Sequence, residues 1–396
     1  MQSSNLLSIY IHIPFCRTRC GYCDFNTYTG YDYLKEAYVN AMIEEIARTS
    51  ANIDAGFLVH TIYFGGGTPN LLTPGQFEDI LNSIRKNFPV VSEAEISTEA
   101  NPTCLPGEYL SALRDFGINR LSFGMQSASA KELKILGRMH TFEDLKISVE
   151  NARNAGISNF NLDLIFGISY QTLLSFEDSM KSALGLSPNH LSLYALSIED
   201  STPLAIKIAN KQLTEPDEDL AADMYILAME YLEKNGFSQY EISNWSLDEQ
   251  SQCLHNLQYW RNLDYLGFGA GAHSHYNQLR WENHKTITDY IGSVSQRPQN
   301  RDCFSPAGTN LISLNTNDEM SETMMMGMRL TTEGINAEDF VERFGVRLDE
   351  VYSKEITKMY SQGLVEWVEL EGCKHLRLTH RGRLLGNQVF MQFIRD

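Results

Sequence analysis

Three of the seven cysteines fall within the run CRTRCGYC, as Cys16, Cys20 and Cys23. A disulfide between two of them would strand the third, in a compartment that would reduce the bond. A structural zinc takes four ligands, commonly from two separated C-x2-C pairs, and no matching second pair follows. A four-iron cluster held by three thiolates leaves one iron open to another ligand. The C-x3-C-x2-C spacing and its flanks favour the cluster. Pro14 ends the preceding strand, Gly21 permits a tight wrap, and Phe15 and Tyr22 offer apolar cover of the kind that tunes a cluster's potential.

Other residues could do chemistry, each with a plainer reading beside it. YFGGGTPN is either a tight turn or bare backbone brought against a ligand, with Thr68 as hydroxyl donor. Glu99, in STEANP, either caps a helix or holds a ribose hydroxyl from a strand end. Asp163 interrupts the apolar run NLDLIFG, and a buried carboxylate needs partners. In HNLQYW, His255 offers an imidazole to an iron, while Tyr259 and Trp260 offer flat faces to a macrocycle. A histidine beside aromatics is also ordinary core. Cys253 is an alternative iron ligand, and His273 and His275 are read as structural.

The elements that must position these groups alternate. The β-rich runs LLSIYIHI, HTIYFGG, EISTEA, RLSFGMQ, NFNLDLIFG and HLSLYALS are separated by helical patterns such as YLKEAYVNAMIEEIART and TFEDLKISVENARNAG. A strand-helix repeat of about 30 residues predicts consecutive βα units. The expected fold is α/β, a partial parallel barrel, with a doubly wound sheet as second choice. In either, functional groups gather at the C-terminal ends of strands, where the cysteines, GGGTPN, Glu99, Gln126 and Asp163 all fall. Beyond residue 200 the rhythm breaks. HNLQYWRNLDYLGFGAGAHSHY reads as an irregular loop packed over a site. Helices and an alternating hairpin, LVEWVELEGCKHLRLT, then predict a small winged-helix-like α+β module, read as a packing or interface element. The expected division is 1-235 barrel, 236-305 covering segment and 306-396 C-terminal module.

Composition bounds the function. The 396 residues are enough for a large core and a satellite domain, and a net charge of -18 argues against nucleic acid as partner. No signal peptide or apolar span is read, and the scattered cysteines fit a reducing, cytoplasmic setting with no intrinsic membrane anchor.

With C-x3-C-x2-C and an aromatic before the third cysteine, the chain resembles radical S-adenosylmethionine (SAM) proteins. More narrowly, YIHIPFC...CGYCDFN resembles the subgroup of oxygen-independent coproporphyrinogen III dehydrogenases and heme chaperones. That resemblance implies a partial (β/α)6 barrel and a [4Fe-4S] cluster on Cys16, Cys20 and Cys23. It implies a SAM site matching Tyr10, Tyr22, Gly66, Gly67, Thr68, Glu99, Gln126, Arg138 and Asp163. It also implies one-electron cleavage of SAM to a 5'-deoxyadenosyl radical. Two departures set the chain apart from the dehydrogenase. Phe25 stands where that enzyme has a further cysteine, and the first strand begins without its longer N-terminal extension. H-N-x-x-Y-W, complete at His255, Tyr259 and Trp260, marks the heme chaperones of the subgroup. The resemblance thus implies a heme chaperone on a radical SAM scaffold rather than a coproporphyrinogen III dehydrogenase. It would bind heme and deliver it to apo-hemoproteins, expected to be respiratory, as a possible homodimer, meeting a membrane only through partners. Decarboxylation of coproporphyrinogen III is the alternative.

Overall fold

The structure, a computed structural model, describes residues 5-54, 56-103, 105-296 and 304-394. Two compact units divide the chain: residues 1-228 with 264-312, and residues 229-263 with 313-396.

The first unit is built on six strands in chain order: β1 (Leu6–Ile13), β2 (Leu58–Gly66), β3 (Val90–Ala100), β4 (Arg120–Gln126), β5 (Phe160–Phe166) and β6 (His190–Ala195). Each pairs in parallel with the next, the connectivity of a (β/α)6 partial barrel. The helices between them include α1 (Lys35–Ser50), α2 (Pro74–Asn87), α3 (Gly107–Asp115), α4 (Ala130–Leu136), α5 (Phe142–Asn154) and α6 (Leu173–Leu184). Helices α2, α5 and α6 start on Thr73, Thr141 and Thr172, each in a capping box that satisfies two otherwise orphaned amides. The short helices α3 and α4 lie outside the sequence reading.

Period-two patterning gives the strands two different faces. Leu7, Ile9, Ile11 and Ile13 of β1 are fully buried on one face; Ser8, Tyr10 and His12 take the other. The aliphatic face meets the helices, as Phe64 against Phe77 of α2 (ring centroids 4.8 Å) and Phe166 against Phe176 of α6 (5.6 Å) show. The polar face is cross-linked from strand to strand: Thr61 donates to Ser8 Oγ (2.6 Å), Asn161 Nδ2 donates to Ser122 Oγ (2.8 Å), and Ser122 Oγ donates to Asp163 Oδ2 (3.2 Å). A polar interior must satisfy its own hydrogen bonds, so these bonds are the condition for burying it.

A seventh strand, β7 (Tyr265–Phe268), joins the free edge of β1 in parallel, with Ser8 opposite Tyr265 and Ile11 opposite Phe268. It leads into antiparallel β8 (His273–Tyr276) and β9 (Leu279–Asn283). The buried carboxylate of Glu45 ties this return to α1. It accepts from Gly269 N–H (3.0 Å), Tyr290 OH (2.6 Å), Asn283 Nδ2 (2.7 Å) and Ser305 OH (2.7 Å).

The second unit holds helices Thr316–Gly327, Ala337–Phe344 and Ser353–Ser361 and a three-stranded antiparallel sheet. The sheet includes the expected hairpin, Val365–Leu370 against Cys373–Leu378, which turns at Glu371 and Gly372, both with positive φ. Its core gathers Met324, Met328, Phe340, Tyr352, Leu376 and Phe393. The observed division corrects the expected one. Residues 236-305 are not one segment: 236-263 group with the C-terminal module, and 264-305 belong to the barrel unit because β7 completes its sheet. HNLQYW is not an irregular loop but the helix Leu254–Trp260. Among the described residues, no helix is long and apolar enough to cross a membrane.

Candidate functional site

The cysteine loop leaves β1 at Pro14 and is closed at its neck. Phe15 and Cys16 pair in parallel with Tyr28 and Thr29, and Tyr28 N–H donates to Pro14 O (2.7 Å). All three cysteines are free thiols, Cys16 buried and Cys20 and Cys23 half-buried. Gly21 is fixed at both backbone groups, donating to Leu136 O (2.9 Å) and accepting from Leu204 N–H (2.8 Å). Glycine is required more at Gly137, whose φ is +74 and where a Cβ would come within 3.0 Å of Gly21 N.

The loop is also anchored by a residue the sequence reading passed over. Asn26 Nδ2 donates to Ala270 O and to Lys285 O (both 2.9 Å), and its own carbonyl accepts from His12 Nε2 (2.9 Å). His12 in turn bonds Tyr10 OH through Nδ1 (3.0 Å). The only cue in the sequence is a polar residue every second position of YIHI; the partners lie more than 240 residues away.

Around the loop the expected residues converge. Thr68 Oγ1 lies 3.6 Å from Cys16 Sγ. Glu99 accepts from Gly66 N–H (3.0 Å) and Tyr63 OH (3.3 Å). Burial, and then the charge of Asp163, push the Glu99 carboxyl up to about 7, although both hydrogen bonds pull the other way. Asp163 is also pushed up by burial, against hydrogen bonds from Asn161, Ser192 and Ser122. Arg138 is the hub. Its guanidinium donates to Gly124 O (2.9 Å), Asn101 Oδ1 (3.4 Å), Cys20 Sγ (3.4 Å) and His140 Nδ1 (3.3 Å). Burial disfavours its charge, but Tyr22, Cys20 and Asp163 outweigh that and raise its pKa. His140 is held neutral, its pKa pushed down to about 4 by burial and by Arg138, with Nε2 on Met125 O (3.1 Å). Tyr22 packs on Leu136, Ile165 and Ile168, and burial raises its phenol. Tyr10 stacks on Tyr63 (centroids 6.3 Å, 21°), and burial, then Glu99, raise its phenol. Gln126 holds φ at 63, a strained value for a side-chain-bearing residue, at the end of β4.

Two features test whether this pocket fits a cluster. The Thr27 hydroxyl is buried beside the Cys16 and Cys23 thiols and lowers the pKa of both. A buried hydroxyl donor facing sulfur suits an acceptor supplied by a sulfur cluster. The turn after β2 is bare backbone: a Cβ on Gly67 would lie 3.1 Å from Cys16 Sγ, and one on Gly66, whose φ is +113, would lie 2.5 Å from His12 Cε1. Burial pushes both the Cys16 and Cys23 thiols up, and the Arg19 charge acting on Cys23 does not offset it, so burial favours neutral sulfur. A cationic cluster core supplies the missing charge. The donor set, three soft thiolates on one short loop, fits iron and sulfide.

His255 is only 1 % exposed, on the helix Leu254–Trp260. One turn along, Tyr259 OH lies 2.9 Å from its Nε2, with the two rings edge to face at 5.0 Å. Trp260 packs with Tyr240, Leu257 and Leu330. Cys253, at the N-cap, is buried and its N–H donates to Tyr240 OH (3.2 Å). Thus HNLQYW lies on one helix of the second unit, and the cysteine loop with the residues around it forms a constellation in the first.

Comparison with known proteins follows the same division. Residues 10–183 match the radical SAM superfamily and residues 314–385 the HemN C-terminal domain. The chain is 36% identical to the heme chaperone HemW of Bacillus subtilis over 388 residues, covering 98% of this chain and 99% of that one. It is 37% identical to the Escherichia coli heme chaperone HemW over 268 residues, 67% of this chain and 69% of that one. Among solved structures, the Escherichia coli coproporphyrinogen III oxidase HemN, a radical SAM enzyme, superposes with a TM-score of 0.83 at 24% identity, over 98% of this chain and 90% of that one. That likeness is one of fold.

Proposed function

Because this chain belongs to the radical SAM superfamily, and within it to the family of the heme chaperone HemW, we propose that it binds heme and passes it to apo-hemoproteins. Cys16, Cys20 and Cys23 are the thiolates for a [4Fe-4S] cluster with one iron open. The pocket of Tyr10, Tyr22, Gly66, Gly67, Thr68, Glu99, Gln126, Arg138 and Asp163 takes SAM beside it. When bound, the cluster supplies one-electron chemistry and an open coordination position. The chain's own residues shape that site: the Gly66-Gly67 turn keeps side chains out, Glu99 and Asp163 offer acceptors to hydroxyls and a cation, and Arg138 steadies the Cys20 sulfur.

The observation that carries the heme reading is the Leu254–Trp260 helix, which sets the imidazole of His255 against the phenol of Tyr259 one turn along and carries Trp260 at its end. His255 is the axial ligand. Its Nε2 is engaged by Tyr259, so heme binding exchanges that hydrogen bond for an iron bond. A single imidazole gives a labile attachment, which is what handing heme on requires. Phe25, 64% exposed, lies at the position where the dehydrogenase of this subgroup has a further cysteine. The acceptors are respiratory hemoproteins, the working form is a homodimer, and the protein is cytoplasmic, reaching a membrane only through its partners.

Heme titration of the anaerobic, cluster-loaded chain and its His255→Ala variant tests this reading. The wild type binds heme and the variant binds it at least tenfold more weakly. Equal binding removes His255 as ligand. Catalytic conversion of coproporphyrinogen III to protoporphyrinogen, with SAM and reductant, contradicts the chaperone reading.

A further inference from the structure

The motif helix has a cation beside it that the proposed iron ligation does not use. Arg329 lies 69 residues beyond Trp260 in sequence, yet its guanidinium carbon stands 4.3 Å over the Trp260 ring and 5.6 Å from the Phe390 ring. Among the described residues, no hydrogen bond or ion pair reaches that guanidinium. Its Nε is buried and unpartnered, and so is the indole Nε1 of Trp260. The buried acid Glu241 feels the Arg329 charge but makes no ion pair with it, its carboxylate being engaged by Asn244 Nδ2. An arginine is seldom half-buried with all its donors idle, because a desolvated donor without a partner is costly. Two aromatic faces hold this one in place, so the entropy of fixing the side chain is already spent before any anion arrives.

The backbone around it is equally fixed. Arg329 O accepts from Ile242 N–H (3.1 Å). The motif helix is tied to the same module by Asn262 Nδ2 on Thr323 Oγ1 (3.2 Å) and by the Arg261-Glu333 fork (2.8 and 2.9 Å). The result is a planar, five-donor fork next to a cluster of aromatic rings, in a chain whose net charge of -18 otherwise repels anions.

We propose that Arg329, gripped by Trp260 and Phe390, is the carboxylate anchor of the heme site and pairs with a porphyrin propionate. This rests on the heme reading above and adds to it the group that recognises the acidic edge of the macrocycle. The iron ligand sets whether heme binds; the anchor sets which edge enters and discriminates against porphyrins whose carboxylates are masked.

The test is titration of the full chain with ferric heme and with its dimethyl ester, which keeps the ring and the iron but not the charges. The wild type prefers heme by about tenfold or more, the contribution of one charge-assisted pair in a half-buried setting. Arg329→Gln removes the preference by weakening heme alone, and Arg329→Lys, which keeps the charge without the fork, restores part of it. Equal binding of the two ligands by the wild type overturns the proposal, as does a preference that survives in Arg329→Gln. If Arg329→Gln weakens both ligands alike, the residue acts on the fold and the proposal falls. If the wild type binds neither ligand, the heme reading itself is what fails.

Discussion

Replacing Gly67 by alanine asks whether the turn after β2 is shaped for the cysteine loop. The added Cβ would lie 2.7 Å from Phe15 O, 2.9 Å from Ile13 O and 3.1 Å from Cys16 Sγ. The two oxygens cannot withdraw freely. Ile13 O accepts from Gly67 N–H (2.8 Å) and Phe15 O from Thr68 N–H (2.9 Å), so relief of the clash breaks the bonds that set the turn. Overpacking of this kind costs roughly 1–3 kcal/mol, and each lost hydrogen bond about 1 kcal/mol more. The total, about 2–5 kcal/mol, is comparable with much of a domain's stability, but it is concentrated where Cys16 must present its sulfur. After anaerobic reconstitution, Gly67→Ala is expected to hold less than half the wild-type iron and sulfide while keeping its far-ultraviolet circular dichroism. Gly75→Ala is the control: nothing lies within 4 Å of the new methyl in helix α2, and the change is expected to be neutral or slightly stabilising. A Gly67→Ala protein with a full iron complement and unchanged melting refutes the steric argument.

Arg138→Lys keeps the charge but not the fork that reaches Cys20 Sγ, Gly124 O, Asn101 and His140 at once. Iron content stays near wild type, while loss of the hydrogen bond to sulfur moves the cluster potential to more negative values and SAM affinity falls about tenfold, read by spectroelectrochemistry and equilibrium binding. Tyr259→Phe frees His255 Nε2 from its 2.9 Å hydrogen bond, so heme affinity rises several-fold, the equivalent of about 1 kcal/mol, in the same titration that shows a loss for His255→Ala. Glu45, Glu99 and Glu241 are each pushed up to about 7, foremost by burial. Between about pH 4.3, where an unfolded glutamate titrates, and about 7, the folded chain binds more protons than the unfolded one. Stability therefore falls as pH rises through that window, by up to about 1.4 kcal/mol per pH unit for each group. Urea unfolding at stepped pH checks this, and Glu45→Gln is expected to flatten the slope.

What the sequence disclosed tracks how local each signal is. The cysteine loop, the GGGTPN turn and the six barrel strands were legible because a contiguous motif or a period-two run carries each of them. The expected site residues converge because parallel strands deliver their C-terminal ends to one rim. Asn26, Thr27 and His12 were passed over because their roles depend on partners elsewhere: Asn26 meets Ala270 and Lys285 across the unit. The helices α3 and α4 are too short for periodicity to separate them from loops. HNLQYW read as a loop because aromatic residues and the glycine-rich run behind it mask two helical turns. The domain boundaries moved because β7 returns to β1 from more than 250 residues away, a contact no local pattern announces. The same is true of Arg329 on Trp260.

Heme transfer is the most direct test of what this protein does. Load the anaerobically reconstituted chain with one equivalent of heme, add an excess of an apo-cytochrome, and follow the absorbance of the holo-cytochrome against free heme at the same concentration. Faster or more complete reconstitution from the loaded chain than from free heme, lost in His255→Ala, is the result expected of a heme chaperone. Heme that stays on the chain while the acceptor remains apo, or coproporphyrinogen III turned over catalytically by the same preparation, contradicts it.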